Sequence, residues 1–595
     1  MIDYNAPLRD MQFILSGLAG LDEISSLPGC EEATPDLAEA ILEEAGKFAA
    51  GVLAPINRTG DQQGCRLEGE RVIAPDGWQE AYAQFQSAGW VGLSLPPEFG
   101  GQGLPKLVST PVWEMWFSAN LAFAMLPQLN VGEAAAILLA GCDELKATFL
   151  PKLVSGEWGG TMNLTEPQAG SDLAATRTRA EAQADGTYRV FGQKIFISYG
   201  EHELTANIIH LVLARLPDAP AGVKGISMFV VPKYLVNPDG SPGARNDVRC
   251  ISIEHKMGIH GSPTCTMSYG DNGGAAGYLV GERNRGLEYM FVMMNEARFG
   301  VGVQGVGLGE RAYQHALAYA RERVQGRNAV SGENGQTIVH HPDVKRMLLS
   351  MRARIMAARA LLYTAAGWFD RAQHDPDAAA AEKCRRYVDL LMPVAKGWCT
   401  EIGNEVCDTA IQINGGMGFV EETGVAQYFR DARIMTIYEG TTGIQAIDLI
   451  GRKILREGGA TLTELMAEMR ETALRLSADE ALSSLGAALL EDIALLERTL
   501  EWILANGRAH LDCVLSGAVP FLHLLGTVCG GWQMGRAALA AQARLVAGEG
   551  DAAYLGGIVD LSRFYFGHVT PHAAAWTRTV IRGGETVAGY DCAAL

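Results

Sequence analysis

YRVFGQKIFIS at 188–198, NIIHLVLARL at 207–216 and GISMFVVPKYLV at 225–236 decide the fold. These are short apolar runs rich in Val, Ile and aromatic residues, bounded by the turn-formers DG, PDAPAG and NPDGSPG, so the pattern predicts an antiparallel β unit over 161–280. Outward from it the periodicity changes. Upstream, from about Asp36 to Gly160, apolar residues recur every three or four positions, as in Leu37, Ala38, Ile41, Leu42 and Ala45, which predicts a helical region over 1–160. Downstream, helical periodicity resumes at Gly286 and persists past Ile454, predicting a bundle over 281–457. After the GGA break at 458–460, Leu489, Ile493, Leu496, Leu500 and Leu504 fall on one stripe, predicting a further helical region over 458–595. Helices, then an antiparallel β unit, then helices make an α+β architecture rather than alternating βαβ.

At 595 residues and 48% hydrophobic, the chain is long enough for several cores. Its 49 basic and 68 acidic side chains give a formal charge of -19, which repels phosphate backbones and argues against nucleic acid or an anionic membrane as partner. The eleven cysteines include no CxxC pair, and none joins histidines at zinc spacing, so no metal site is expected. MIDYNAPLRDMQF lacks a basic start followed by an apolar run, and no uninterrupted apolar stretch reaches the ~18 residues of a membrane helix. A cytoplasmic location with reduced thiols is the expectation.

Gly300, Gly302 and Gly305 spell GxGxxG, the dinucleotide fingerprint, but that motif needs a strand before it. GLEYMFVMMNEAR precedes it here and continues a helical pattern, so these glycines read as small residues that let helices approach closely. The informative segment is MNLTEPQAGSDLAATRTRA at 162–180. By itself TEPQAGSD is a polar turn, in which Pro167 fixes φ, Gly170 permits positive φ, and Ser171 and Asp172 satisfy backbone groups. The same loop offers hydroxyls and backbone donors to a polar ring system or a diphosphate. In the third region QINGGMGF at 412–419 and RDARIMTIYEGTTGIQ at 430–445 contribute two glycine-bearing turns suited to a phosphate or ribityl chain. Glu439 lies between an apolar run and a Gly-Thr-Thr turn. A lone glutamate there is most often an exposed residue near a helix start.

Together these segments resemble the acyl-CoA dehydrogenase family. GLSLPPEFGGQGLP (92–105), LPKLVSGEW (150–158), TEPQAGSD, GQKIFIS (192–198), KMGIHGSPTC (256–265), GERNRGL (281–287), YARERVQGR (319–327), QINGGMGF and YEGTTGIQ stand in family order over roughly 40–455. The resemblance implies FAD as cofactor, an acyl-CoA substrate, an electron-transfer flavoprotein as acceptor and at least a homodimer. It implies that Met162, Leu164, Thr165, Gly170 and Ser171 line the flavin loop, and that Phe196 and Ser198 pack on and hydrogen-bond the ring. The family usually has an aromatic residue where Met162 stands, and often Trp where Phe196 stands. Arg323, Gln325 and His341, with Gln412, Gly415, Gly416 and Gly418, match residues that grip diphosphate and adenosine, partly across the subunit boundary. Thr441, Gly443 and Gln445 match the turn that completes this pocket. Arg298, beside Asn295, matches the arginine that steers CoA, and Ser171 and Gly440 join it as substrate contacts.

Glu439 matches the base that removes the α-proton, its backbone N–H and a flavin ribityl hydroxyl donating to the enolate oxygen. Such donors are worth roughly 2.7–4 kcal/mol each in a dry site. Some relatives place the base on the helix before the CoA-steering arginine. That position is Ala297 here, and the adjacent Glu296 is turned about 100 degrees away on a helix. The added ends, YNAPLRDMQFIL and about 140 C-terminal residues, resemble the 3-methylmercaptopropionyl-CoA dehydrogenase-like branch. Medium- or long-chain fatty acyl-CoA is the favoured substrate on this reading, with 3-methylmercaptopropionyl-CoA as the alternative. An acyl-CoA oxidase shares the fold. A DNA-binding flavoprotein of the alkylation response is disfavoured by the charge, and a silent scaffold by the intact Glu439.

Overall fold

Strand Tyr188–Ser198 organises the β unit. In the computed structural model, which describes residues 3–594, the strands are β1 (Arg66–Glu68), β2 (Arg71–Ile73), β3 (Trp158–Asn163), β4 (Arg179–Ala182), β5 (Tyr188–Ser198), β6 (Asn207–Arg215), β7 (Ile226–Pro232), β8 (Tyr234–Val236), β9 (Pro242–Arg245), β10 (Val248–Ile253), β11 (Thr264–Tyr269) and β12 (Ala275–Val280). The large sheet runs β10-β11-β5-β12-β7-β6-β3, with β4 beside β5 and β6. One end of β5 pairs with β11 and the other with β4 and β12. β6 and β7 are buried almost throughout, which explains why their sequences are continuously apolar rather than alternating. Ile209, Leu211 and Leu213 enter one apolar cluster with Phe149, Leu150 and Trp158, while Val212, Ala214, Phe229 and Val231 enter another.

The expectation of a wholly antiparallel sheet needs correction: β3 pairs with β6 in parallel, from Trp158 opposite Asn207 to Asn163 opposite Val212. The connection between them carries β4 and β5, long enough for the crossover a parallel pair requires. One helix, Lys106–Ala140, is long and apolar enough to cross a membrane by length and composition, and 72% of its apolar window is buried inside the protein. It is also broken at Asn120, whose extended backbone (φ -160°, ψ 89°) interrupts the helix and whose side chain accepts from Phe123 N at 3.1 Å to start it again.

The chain divides into two compact units. One comprises 1–47, 105–118 and 301–595, and the other 48–104 and 119–300. Long helices Pro342–His374 and Ala378–Asn414 dominate the first. The glycine-rich stretch lies inside helix Gly286–Glu322 with no strand before the motif. A Cβ on Gly302 would stand 2.5 Å from Ala395 O, and one on Gly305 2.5 Å from Cys399 O, so these glycines permit close helix packing. The C-terminal residues pack directly on the same bundle. A Cβ on Gly526 of helix Ala518–Ala547 would meet Trp398 at 2.3 Å, and one on Gly530 would meet the same indole at 2.8 Å. Leu489, Ile493, Leu496 and Leu500 are buried as the stripe required, while Leu504 is half-buried and Ile503 takes the interior position, the drift expected of a 3.6-residue turn.

Candidate active site

The 439–445 turn is built from two consecutive left-handed residues, Glu439 at φ +55° and Gly440 at φ +88°. Gly440 adopts that conformation without side-chain cost, but a glutamate there is uncommon, and such outliers persist only where surrounding contacts over-determine them. The contacts are present. Gln445, 1% exposed, donates from Nε2 to Glu439 O at 2.9 Å, and the fully buried Lys396 donates from Nζ to Gly440 O at 2.6 Å. Thr441 caps helix Thr442–Asp448 by accepting from Ile444 N, and Thr442 donates to Glu401 Oε1 at 2.6 Å. The Tyr438 hydroxyl hydrogen-bonds Gln304, and burial together with the Glu439 carboxylate pushes that phenol up. Glu439 itself is half-buried. Gly443 lies within the short helix with no close contact that demands a glycine. Lys396, Gln304 and Glu401 were not legible in the sequence, since each sits on a long helix with no local motif.

The three glycines after Gln412 have different reasons to be glycine. Gly415 has φ +60° and donates its N–H to Gln412 O, ending the long helix. A Cβ on Gly418 would stand 2.3 Å from Ile411 O, so backbone proximity excludes a side chain. Gly416 has neither reason: its φ is not left-handed and nothing lies within 4 Å of the Cβ position. A glycine that the fold itself does not require fits a surface kept bare for a ligand's close approach. The exposed Arg323 and Gln325 and the half-buried His341 form one cluster, with Arg323 Nη2 to Gln325 Oε1 at 3.3 Å and the His341 Nε2 to Gln325 O contact at 2.9 Å.

The other unit holds the TEPQAGSD loop. Glu166, 3% exposed, accepts from Lys194 Nζ (2.8 Å), Arg177 N, Thr178 N, Thr178 Oγ1 and Gln168 Nε2. Lys194, 0% exposed, also donates to Leu164 O at 3.0 Å, and Ile195 N donates to Thr165 O at 2.9 Å. Burial raises the Glu166 carboxyl, but Lys194 and the other donors outweigh it and hold it at about 2. Burial lowers the Lys194 ammonium to about 8, against the pull of Glu166. This pair fixes the loop on β5, placing Met162 and Thr165, both half-buried, ahead of exposed Gly170 and Ser171. Gly170 does not use the positive φ expected of it, and nothing lies within 4 Å of its Cβ position. The turn is made instead by Glu166 and Ala169, which exchange both backbone hydrogen bonds.

Along β5 the register shifts between Lys194, opposite Met267, and Ile197, opposite Cys265. The extra residue makes a bulge in which Phe196 takes φ +60° and remains 59% exposed. Bulges re-aim side chains, and this one holds a large aromatic ring outward at a conformational cost, as packing on a planar partner requires. Ser198, half-buried, pairs in register with Thr264. On helix Gly286–Glu322, Asn295 is exposed and the Arg298 guanidinium lies 6.0 Å from the centre of the Phe291 ring. Its Nε is buried without a hydrogen-bond partner among the described residues, the state of a cation that awaits an acceptor. Ala297 on the same helix offers no carboxylate. Among the described residues no group of three or more His, Cys, Asp and Glu is arranged to hold a metal.

Known families account for most of the chain. The acyl-CoA dehydrogenase N-terminal domain matches 35–157, its middle domain 161–271 and its C-terminal domain 284–455, and an acetyl-CoA dehydrogenase C-terminal-like domain matches 465–591. The chain is 49% identical over 554 residues to the 3-methylmercaptopropionyl-CoA dehydrogenase of Ruegeria pomeroyi, covering 93% of each protein. It is 34% identical over 605 residues to the broad-specificity linear acyl-CoA dehydrogenase of Mycobacterium tuberculosis, covering 98% of each. The fold matches the FAD complex of a Bacillus anthracis acyl-CoA dehydrogenase with a TM-score of 0.75 at 22% identity, over 96% of this chain and 92% of that one. On this evidence the chain belongs to the acyl-CoA dehydrogenase family and is an oxidoreductase acting on acyl-CoA.

Proposed function

We propose that the chain removes the α- and β-hydrogens of 3-methylmercaptopropionyl-CoA, with Glu439 as the base that takes the α-proton. The observation that carries the assignment of the base is the backbone of Glu439: a non-glycine residue held at φ +55° with its own carbonyl and that of Gly440 both clasped. The preference for this substrate over a long fatty acyl chain rests on 49% identity across 93% of both chains. A broad linear acyl-CoA range is the second reading, favoured by 34% identity across 98% of both chains.

FAD is the cofactor, and the chain's side chains fit it: the outward Phe196, the open space at Gly416 and the pinned loop at 162–178 are each suited to a planar ring bearing a diphosphate tail. Met162, Leu164, Thr165, Gly170, Ser171, Phe196 and Ser198 would hold the ring, and Arg323, Gln325, His341, Gln412, Gly415, Gly416, Gly418, Thr441, Gly443 and Gln445 the rest. When bound, FAD supplies the acceptor for the hydride that leaves the β-carbon. Glu439 contributes the other half, accepting the α-proton of a thioester on a carboxylate whose basicity rises as an apolar acyl group displaces water. Arg298 and Asn295 serve the CoA moiety, with Ser171 and Gly440 near the thioester. On the same reading an electron-transfer flavoprotein takes the electrons, the assembly is a homodimer and the compartment is the cytoplasm.

Anaerobic titration with 3-methylmercaptopropionyl-, C4, C8 and C16-CoA, following flavin bleaching, tests this. The methylthio thioester should bleach the flavin with the highest rate per Kd. Faster bleaching by C16 would overturn the substrate assignment, and none with any thioester would overturn the activity. Oxygen uptake matching turnover would replace the dehydrogenase with an oxidase.

A further inference from the structure

Lys396 lies on helix Ala378–Asn414, 44 residues before the turn it touches, and no part of its side chain reaches solvent. A lysine this buried is costly unless the head group has a task. Its Nζ reaches Gly440 O at 2.6 Å, and Gln445 Nε2 reaches the preceding carbonyl, Glu439 O, at 2.9 Å. Two successive carbonyls of a left-handed turn are therefore clasped from two different helices. Space around the clasp is tight, since a Cβ on Gly440 would stand 2.9 Å from Gln445 Nε2. A glutamate at φ +55° followed by glycine at +88° has easier conformations available; the two donors hold it in this one.

We propose that Lys396 and Gln445 are positioning residues for proton abstraction, fixing the backbone from which the Glu439 carboxylate is aimed. The inference rests on Glu439 being the base. Removing either donor lets the turn relax toward ordinary backbone angles and swings the carboxylate. Misplacement of a reacting group by about 1 Å costs on the order of 100-fold in rate. Because the donors act on aim, the loss falls on the limiting rate of flavin bleaching and leaves thioester affinity in place. Lys396 also places its amino group on the carbonyl of the residue that follows Glu439. Its removal should move the acid limb of the rate profile toward higher pH, a shift that simple loosening of the fold does not produce.

The test compares Lys396→Met, Gln445→Met and Glu439→Gln as full-length, flavin-loaded proteins. Limiting bleaching rate is measured against pH, the Kd of a non-oxidisable thioether analogue of the substrate is measured separately, and backbone amide exchange of the 438–445 peptide is read by mass spectrometry. Expected are rates about 100-fold lower in both methionine variants, analogue Kd within about threefold of the parent, faster exchange in 438–445, and an alkaline shift of the acid limb in Lys396→Met alone. Bleaching within about twofold of the parent in both methionine variants, with unmoved exchange, overturns the inference while a dead Glu439→Gln leaves the base assignment standing. Undiminished bleaching in Glu439→Gln overturns the base assignment instead. Gln445 is also placed against FAD, so if Lys396→Met does not retain flavin, Lys396→Gln, whose shorter side chain falls short of Gly440 O, decides by the same rate, affinity and exchange criteria.

Discussion

Replacing Lys194 by methionine removes one partner from a buried ion pair and leaves Glu166 behind, 3% exposed. Breaking a buried pair in this way costs about 3–5 kcal/mol. Glu166 keeps four other donors, from Arg177, Thr178 (two) and Gln168, so the lower end, about 3 kcal/mol, is the better figure. Since the pair anchors the 162–178 loop rather than a core, the loss should appear as weaker FAD binding, roughly 100-fold in Kd. Titration of FAD into apoprotein, followed by quenching of flavin fluorescence, measures this directly. The pH dependence has a definite sign. In the parent, Glu166 titrates at about 2, below its ordinary 4.5, so its ionised form contributes stability that is present above 4.5 and lost as pH falls toward 2. In Lys194→Met, burial becomes the dominant influence and raises the carboxyl above its ordinary value, so protonation relieves the defect and the deficit narrows as pH falls toward 4.5. The double variant Lys194→Met/Glu166→Gln removes both charges while keeping an acceptor for the Arg177 and Thr178 donors, and should recover part of the lost affinity. An FAD Kd within threefold of the parent in Lys194→Met, or a double variant no better than the single one, would refute the assignment of the pair as the loop's anchor.

Three further outcomes are expected. Gly416→Ala meets open space and should leave unfolding by denaturant within about 0.5 kcal/mol of the parent while raising the FAD Kd; equal FAD affinity would show that no ligand approaches that glycine. Gly305→Val places atoms against Cys399 O, where even a Cβ would stand at 2.5 Å, and should lower stability by about 1–3 kcal/mol with no specific effect on flavin in the folded fraction; specific flavin loss at unchanged stability would return the GxGxxG stretch to a cofactor role. Phe196→Gly relieves a residue held at φ +60° and 59% exposed, so the apoprotein should unfold no more easily than the parent while FAD binds more weakly; a marked loss of apoprotein stability would mean that the ring is a core residue.

The order of helices, β unit and helices was legible because periodicity is local: alternation, apolar runs and turn residues are written within a dozen positions of one another. The same holds for the motif loops, for the vacancy of the rival base at Ala297 and for the reading of Gly302 and Gly305 as packing residues, which needed only the helical pattern before them. The parallel pairing of β3 with β6 was not legible, because pairing direction depends on where a long connection returns the chain. Nor was the reason that Gly415, Gly416 and Gly418 are glycines: one is set by its own φ, one by a neighbouring carbonyl, and one by neither.

Residue types and their order in the motifs came from the sequence by itself, and with them Glu439 as a candidate. Tertiary structure alone decided what holds them. Lys194 and Glu166 are 28 residues apart and Lys396 and Gly440 are 44 apart, with no periodic signal linking either pair. A buried charge gains its value only from the exact partner that packing brings within reach, and desolvation makes that value large inside the fold and negligible in the unfolded chain.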